Sequence, residues 1–266
     1  MNKLDKLKSI LQTMDSVLIA FSGGLDSTFL LKAATLSLSK SKILAVTADS
    51  ATYPREELRL AKEIADSLGV KHKIIKTNEL ESSKFVSNPV NRCYFCKKEL
   101  FIKLKAIAKK SKLNFVADAS NASDKLDFRP GNAAKKELKI RSPLQEAGFT
   151  KEDIRKFSRK LKLVTWDKPS LACLASRIPY GVKITPKALN KIDNAELEIK
   201  KLGFRQVRVR HYNDLCRIEV EKNQLSRLLD KRNLLVDKLK KLGYNYITVD
   251  LEGYRTGSLN EAFLKK

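Results

Sequence analysis

The sequence predicts an α/β protein: a parallel-sheet domain over residues 1–181, then a smaller α+β domain over 182–266. Three observations carry that prediction. Short apolar runs alternate with segments of helical length through the first two-thirds of the chain, the pattern of a parallel sheet covered on both faces. A polar, glycine-bearing turn follows the first apolar run. The order of elements changes after Lys183, close to where Pro179, Gly181 and Pro186 cluster.

The elements follow in order. The charged opening MNKLDKLKSILQTMD reads as a short helix, and no cleavable signal peptide is read in it. SVLIAF (16–21) is a buried strand, a brief apolar run bounded by turn chemistry. SGGLDS (22–27) is a tight turn, and STFLLKAATLSL has helical length. KILAVTADS (42–50) is a second buried strand. Pro54 suits a first helical position, Glu56 and Glu57 suit the positive end of a helix running to Leu68, and Gly69 terminates it. KHKIIKT (71–77) is a third strand, and NRCYFCKKELFIKLKAIAKKSK leads into a long amphipathic helix. NFVADAS (114–120) is a fourth strand, followed by a polar loop containing DFRPG. Thr150 and Asp153 form a capping pair for a helix to Leu161. The second domain reads helix 187–202, strands 204–211 and 214–221, helix 223–241 and strand 244–250.

Of the 266 residues, 42% are apolar, enough for a substantial core. No run approaches the ~18 consecutive apolar residues of a membrane span. Two histidines exclude a His-rich metal site. Four cysteines, at 93, 96, 173 and 216, are too few for a disulfide framework, so a reducing cytoplasm is expected. The 54 basic against 30 acidic residues give +24, which favours polyanionic partners such as tRNA through counterion release. The same excess fits a lysine-rich solvated surface, because the lysines are scattered rather than gathered in one tail.

SGGLDS lies between a strand and its helix, where an open α/β sheet binds ligands. Gly23 and Gly24 let backbone N–H groups approach an anion, the helix N-terminus adds positive charge, and Ser22 and Ser27 offer hydroxyl donors. Asp26 would repel phosphate unless Mg²⁺ lies between them, which argues for a metal–nucleotide complex. A Walker loop needs Gly-Lys-Ser/Thr and a dinucleotide fingerprint needs GxGxxG; the chain has neither.

Cys93 and Cys96 form a CxxC in NRCYFCKK. A redox dithiol is out of place after the third strand of such a sheet, and a structural zinc site lacks a second CxxC. An iron–sulfur site completed by Cys173 would leave one iron without a protein ligand. Packing cysteines are the plain alternative, and Cys216, in the strand DLCRIEV, reads as a small buried thiol. Cys173 stands in KPSLACLASRIPYG, where Arg177 would lower its thiol pKa; a structural linker is the competing reading of that segment.

SGGLDS after a first apolar strand resembles the PP-loop of the ATP pyrophosphatase superfamily, whose members include tRNA thiolation enzymes and NAD and GMP synthetases. The resemblance implies an adenine nucleotide alpha hydrolase-like fold and ATP cleavage between the α and β phosphates. AMP would go to an acceptor oxygen while the loop holds pyrophosphate, with Mg²⁺ neutralising charge. It implies nucleotide contacts from Ser22, Gly23, Gly24, Asp26 and Ser27, and places Asp49 and Ser50, at the end of the second strand, beside the adenosine.

The segments NRCYFCKKELF, DASNASDKLDFRPG, IRSPLQEAGFTKEDIRKF, WDKPSLACLASRIPYG and FRQVRVRHYNDLCRIEV together resemble the LarE family, in the same order. That family comprises ATP-dependent sulfur-inserting enzymes of nickel-pincer nucleotide synthesis. The resemblance implies adenylation of a carboxylate of pyridinium-3,5-dicarboxylate mononucleotide, followed by displacement of AMP by sulfur. One class consumes a cysteine at the position of Cys173; another uses three cysteines to hold a 4Fe-4S cluster carrying an extra sulfide. With Cys93, Cys96 and Cys173 all present, the cluster class is expected, with Cys173 and Asp26 as the catalytic residues.

Arg208 and Arg210 alternate along a strand and so share a face, suited to clamp a substrate phosphate. Glu196 and Glu219 match acidic positions near that family's active site, with ordinary surface charge as the alternative, and Arg177 is expected with them among the substrate-binding residues. Asp124, Asp127 and Arg129 match an acidic loop placed near the nucleotide, although this chain reads DASN and SD where the family reads DGTN and DD. The C-terminal DLEGYRTGSLNE also fits, and family members often form homo-oligomers through the second domain. The expected partners are a small mononucleotide, sulfide or a sulfur donor, and further copies of the chain. A tRNA thiolase is the rival enzyme; the charge favours it, but no RNA-binding module is recognisable. A non-catalytic nucleotide or sulfide sensor is opposed by the intact Asp26 and loop glycines.

Overall fold

A computed structural model of the chain describes residues 2–126 and 129–261. The elements run α1 Lys3–Met14, β1 Val17–Ala20, α2 Leu25–Thr35, β2 Ile43–Asp49, α3 Arg55–Ser67, β3 Lys71–Lys76, α4 Ser83–Val86 and α5 Arg92–Lys110. They continue with β4 Phe115–Ala117, α6 Gly131–Glu137, α7 Pro143–Glu146, α8 Lys151–Lys160, α9 Pro186–Lys201 and β5 Val207–Tyr212. The chain closes with β6 Leu215–Val220, α10 Leu225–Asp230, α11 Arg232–Lys241 and β7 Tyr246–Val249. Two compact units result. One takes the residues up to Glu79 together with Asn91–Leu171; the other takes Leu80–Val90 and the chain from Ala172 onward.

The first unit is the parallel α/β domain the alternating pattern predicts. Its four-stranded sheet has the order β3-β2-β1-β4, with β1 parallel to both β2 and β4. Alternate residues of β1 serve different cores, as a strand buried on both faces requires. Val17 and Ile19 join Leu7, Leu11, Phe29, Ile64, Phe149 and Ile154 on one side. Leu18 joins Leu44, Val46, Phe101, Leu104 and Ala134 on the other. β3 is an edge strand, which explains its lysines and the exposure of Ile74. Pro54 is the N-cap of α3, and Thr150 and Asp153 form a complete capping box on α8.

In the second unit β5 and β6 form an antiparallel hairpin, and β7 adds parallel to β6. Val207, Val209, Cys216, Ile218 and Val220 pack with Ala195 and Ile199 of α9 and Leu235 and Leu239 of α11. The opposite face carries Arg208, Arg210, Arg217 and Glu219 (β5 and β6 residues of the other parity). Asn88 is wholly buried and ties Leu80–Val90 into this unit. Its Nδ2 donates to the carbonyls of Ile178, Pro179 and Val182, at 3.4, 2.7 and 3.0 Å, and its own carbonyl accepts from Gly181 N–H at 2.9 Å.

Two expectations are corrected. The helix expected over 223–241 is broken at Lys231, where the N–H turns back to Leu228 O in a tighter three-residue closure. The loop containing DFRPG holds a short helix, α6, entered through Pro130. Among the described residues no helix is long and apolar enough to cross a membrane.

Candidate active site

β2 and β4 lie on opposite sides of β1, so the carboxyl end of β1 is the topological switch point of the sheet. The SGGLDS turn leaves the sheet there, and Gly24 becomes the N-cap of α2. Gly23 has φ +63°, and a Cβ on it would lie 2.9 Å from Ala61 Cα, so conformation and space both require glycine. Ser22 Oγ lies 3.1 Å from Ser27 Oγ, and Ser27 Oγ donates to Gly24 O at 3.2 Å. The turn is thus closed by its own hydroxyls at the positive end of a helix.

Two lysines distant in sequence flank it. Lys151 Nζ, from the first turn of α8, lies 2.7 Å from Asp26 Oδ2. Asp26 Oδ1 is buried and has no hydrogen-bond partner among the described residues. Burial raises the Asp26 pKa and Lys151 opposes the rise. Lys168 Nζ lies 2.6 Å from Glu57 Oε2 and donates to Gly23 O at 3.2 Å. Tyr53 OH donates to Ser22 O. One buried, open carboxylate oxygen beside an anion-binding turn fits a divalent cation of the Mg²⁺ type, which takes one or two carboxylates and completes its shell with phosphate and water. Among the described residues no group of three or more His, Cys, Asp or Glu side chains is gathered to hold a metal ion.

Asp49 ends β2 exposed, whereas Ser50 turns inward and donates to Glu79 Oε1 at 2.5 Å. Thr52 Oγ1 donates to the same oxygen at 3.1 Å, and Glu79 is buried. Arg129 pairs with Asp124 at 2.9 Å. Both act on Asp26 through their charges, Asp124 raising its pKa and Arg129 lowering it. Asp127 lies outside the described residues.

Cys93 and Cys96 stand three residues apart in the first turn of α5, on one helix face and half-buried. Cys173, also half-buried, belongs to the other unit and opens a short 3₁₀ turn, Leu174–Arg177. Burial pushes the Cys216 thiol up to about 12, which suits the packing role read for it.

The second unit gathers Arg177, Arg208, Arg210, Glu196 and Glu219. Arg177 is fully buried and grips Glu196 with both prongs, each at 2.8 Å. Its remaining nitrogen donates to Ala172 O at 2.6 Å, Cys173 O at 3.0 Å and Ser176 Oγ at 3.1 Å. The guanidinium therefore holds the backbone around Cys173. Burial alone would lower the Arg177 pKa, and the charge and hydrogen bonds of Glu196 outweigh it. Arg210 grips Glu219 at 2.7 and 2.9 Å and also donates to Ser176 O and Ser258 Oγ. Arg208 lies opposite Glu219 in register, its guanidinium 5.4 Å from the Tyr254 ring centroid. Burial, and then the like charge of Arg177, lower its pKa. Glu196 and Glu219 are 2% and 0% exposed, so the surface-charge alternative for them fails.

Sequence reasoning missed Lys151, Lys168, Glu57, Tyr53 and Glu79. Their partners are remote in the chain, and no spacing rule marks them.

The family described as queuosine biosynthesis protein QueC matches residues 16–91, the stretch holding β1, the glycine turn and β2. An uncharacterised protein of Synechocystis is 41% identical over 99% of both chains. The pyridinium-3,5-bisthiocarboxylic acid mononucleotide synthase of Lactiplantibacillus plantarum is 34% identical over 97% of this chain and 94% of its own. An uncharacterised protein of Methanocaldococcus jannaschii is 30% identical over 96% of this chain and 98% of its own. Identity at that level along nearly the whole of a named synthase leaves one assignment: the chain belongs to the LarE family and is an ATP-dependent sulfurtransferase of the PP-loop type.

Proposed function

We propose that this enzyme adenylates a carboxylate of pyridinium-3,5-dicarboxylate mononucleotide and exchanges the AMP for sulfur. The likeness to the L. plantarum synthase supports the substrate. The observation that carries the chemistry is Asp26, with one oxygen on Lys151 and the other buried and open beside the glycine turn. In this reading a substrate carboxylate oxygen attacks the α-phosphorus of ATP and the bond to the bridging oxygen breaks. Pyrophosphate leaves into the turn formed by Ser22, Gly23, Gly24 and Ser27. Asp26 would hold Mg²⁺, which would neutralise the charge of the leaving pyrophosphate, with Lys151 fixing the Asp26 carboxylate through its other oxygen. Asp49 and Ser50 border the adenosine, and Arg129 the nucleotide side. Arg208 and Arg210 clamp the mononucleotide phosphate, with Glu196, Glu219 and Arg177 fixing that face.

Cys93, Cys96 and Cys173 are the proposed ligands of a 4Fe-4S cluster. Such a cluster, when bound, supplies an exchangeable sulfide at the iron that no thiolate of the chain occupies. Sulfur so supplied would replace AMP on the adenylated carboxyl group, releasing AMP and leaving a thiocarboxylate, and a second round would give the dithiocarboxylate. The parallel-sheet unit would serve ATP and sulfur transfer, and the unit that includes residues 182–266 would serve substrate binding and homo-oligomer contacts, in the cytoplasm.

Iron and acid-labile sulfide analysis of anaerobically purified protein, with an absorption spectrum, tests this reading. About four irons per chain, falling in Cys173→Ala, is the expected result. Iron-free protein that resists reconstitution overturns the cluster; loss of H₂S from Cys173 after turnover, seen by mass spectrometry, would then establish a sacrificial route. The +24 charge favours a second reading, a tRNA thiolase. Salt-sensitive retention of tRNA, which a mononucleotide enzyme does not need, would support it.

A further inference from the structure

The amides of a phosphate-binding turn face an anion only if its carbonyls are held elsewhere. Two of these carbonyls accept hydrogen bonds from side chains outside the SGGLDS segment. Ser22 O accepts from Tyr53 OH, and Gly23 O accepts from Lys168 Nζ at 3.2 Å. In a trans peptide the C=O of one residue and the N–H of the next point in opposite directions across one rigid plane. Whatever holds Gly23 O therefore aims the N–H of Gly24, whose contact inside the turn is a long 3.4 Å one to Ser22 Oγ.

Lys168 is in turn fixed by Glu57, at 2.6 Å, with the two side chains only 16% and 11% exposed. Glu57 lies in the first turn of α3, one turn before Ala61, the residue against which Gly23 packs. At spacing i, i+4 the two residues share a helix face. One face of α3 thus supplies both the floor under Gly23 and the carboxylate that sets the lysine. A shielded, charge-assisted pair of this kind holds its geometry better than an exposed one.

We propose that Lys168, set by Glu57, is a positioning residue of the phosphate turn, orienting the Gly24 N–H toward the pyrophosphate of ATP. The inference rests on the reading that SGGLDS holds that pyrophosphate. The alternative use of the same lysine, direct contact with the phosphates, predicts the opposite response at Glu57, since removing the carboxylate would free the amine.

Calorimetric titration of the full-length protein with inorganic pyrophosphate, and separately with AMP, distinguishes these. Lys168→Met is expected to weaken pyrophosphate binding about ten-fold and to leave AMP binding within about two-fold. Lys168→Arg should restore most of the affinity. Glu57→Gln should reproduce the loss, and the double variant should be no weaker than Lys168→Met alone, because the pair acts as one unit. Unchanged or tighter pyrophosphate binding in Glu57→Gln overturns the proposal. Equal weakening of both ligands with a lowered melting temperature, unrescued by arginine, reduces the pair to a structural role and also overturns it. Failure of the unaltered protein to bind pyrophosphate is a different result: it defeats the ATP reading itself, and this inference with it.

Discussion

A buried arginine stripped of its carboxylate is worse placed than one that never had a partner, because desolvation has already been suffered and nothing offsets it. Glu196 is the residue on which this bears most directly, since Arg177 is fully buried and grips it with both prongs. Glu196→Gln is expected to cost about 3–5 kcal/mol in a urea unfolding series at neutral pH. A loss below about 1 kcal/mol would mean that Arg177 finds another anion, against this account. The same scale shows what could be read in advance. The glycine turn was legible because strand, turn and helix are consecutive, and each of its residues has a local reason to be there. Lys151 and Lys168 were not, since they reach the turn from 125 and 145 residues away and carry no mark beyond being lysines. Glu196 and Glu219 could be named only by resemblance; that they are interior groups follows from a packed face no spacing rule describes.

At the scale of elements, α8 shows how much a short signal can specify. Thr150 Oγ1 accepts from Asp153 N–H, and Asp153 accepts in return from the backbone and hydroxyl of Thr150 and from Lys3. Burial would raise the Asp153 pKa, but the bonds from Lys3 and Thr150 prevail and hold it at about 2. Because the folded value lies below the unfolded one, the stability this carboxylate contributes is fully present above about pH 5 and is lost as pH falls toward 2. Asp153→Asn should therefore destabilise by about 1 kcal/mol at pH 7, with the difference from the unaltered protein closing across that window. A pH-independent difference would contradict the assignment. The break between α10 and α11 was invisible for a related reason. Leu228 and Leu235 are seven residues apart and fall on one face whether or not the helix is continuous, so the apolar period carries no trace of Lys231. The short helix α6 is too brief to show a period at all.

At the scale of the whole molecule, the chain enters the second unit at Leu80, leaves it after Val90, and returns at Ala172. Asn88 helps tie the early segment there, and Asn88→Ala would remove the side-chain donor to the carbonyls of Ile178, Pro179 and Val182, of which Pro179 keeps the Val182 N–H. A loss of about 1–3 kcal/mol is expected, read by hydrogen exchange as earlier opening of residues 178–184 than of the parallel sheet. Uniform loss across both units would argue that they unfold as one. The interleaving has a consequence during synthesis. About 80 residues separate Val90 from Ala172, so at typical elongation rates the early segment waits on the order of ten seconds for the partners that complete it. Phe85, 2% exposed in the finished protein, lies in that early segment. The order in which the ribosome delivers this polypeptide thus fixes a period of vulnerability that the folded molecule no longer displays.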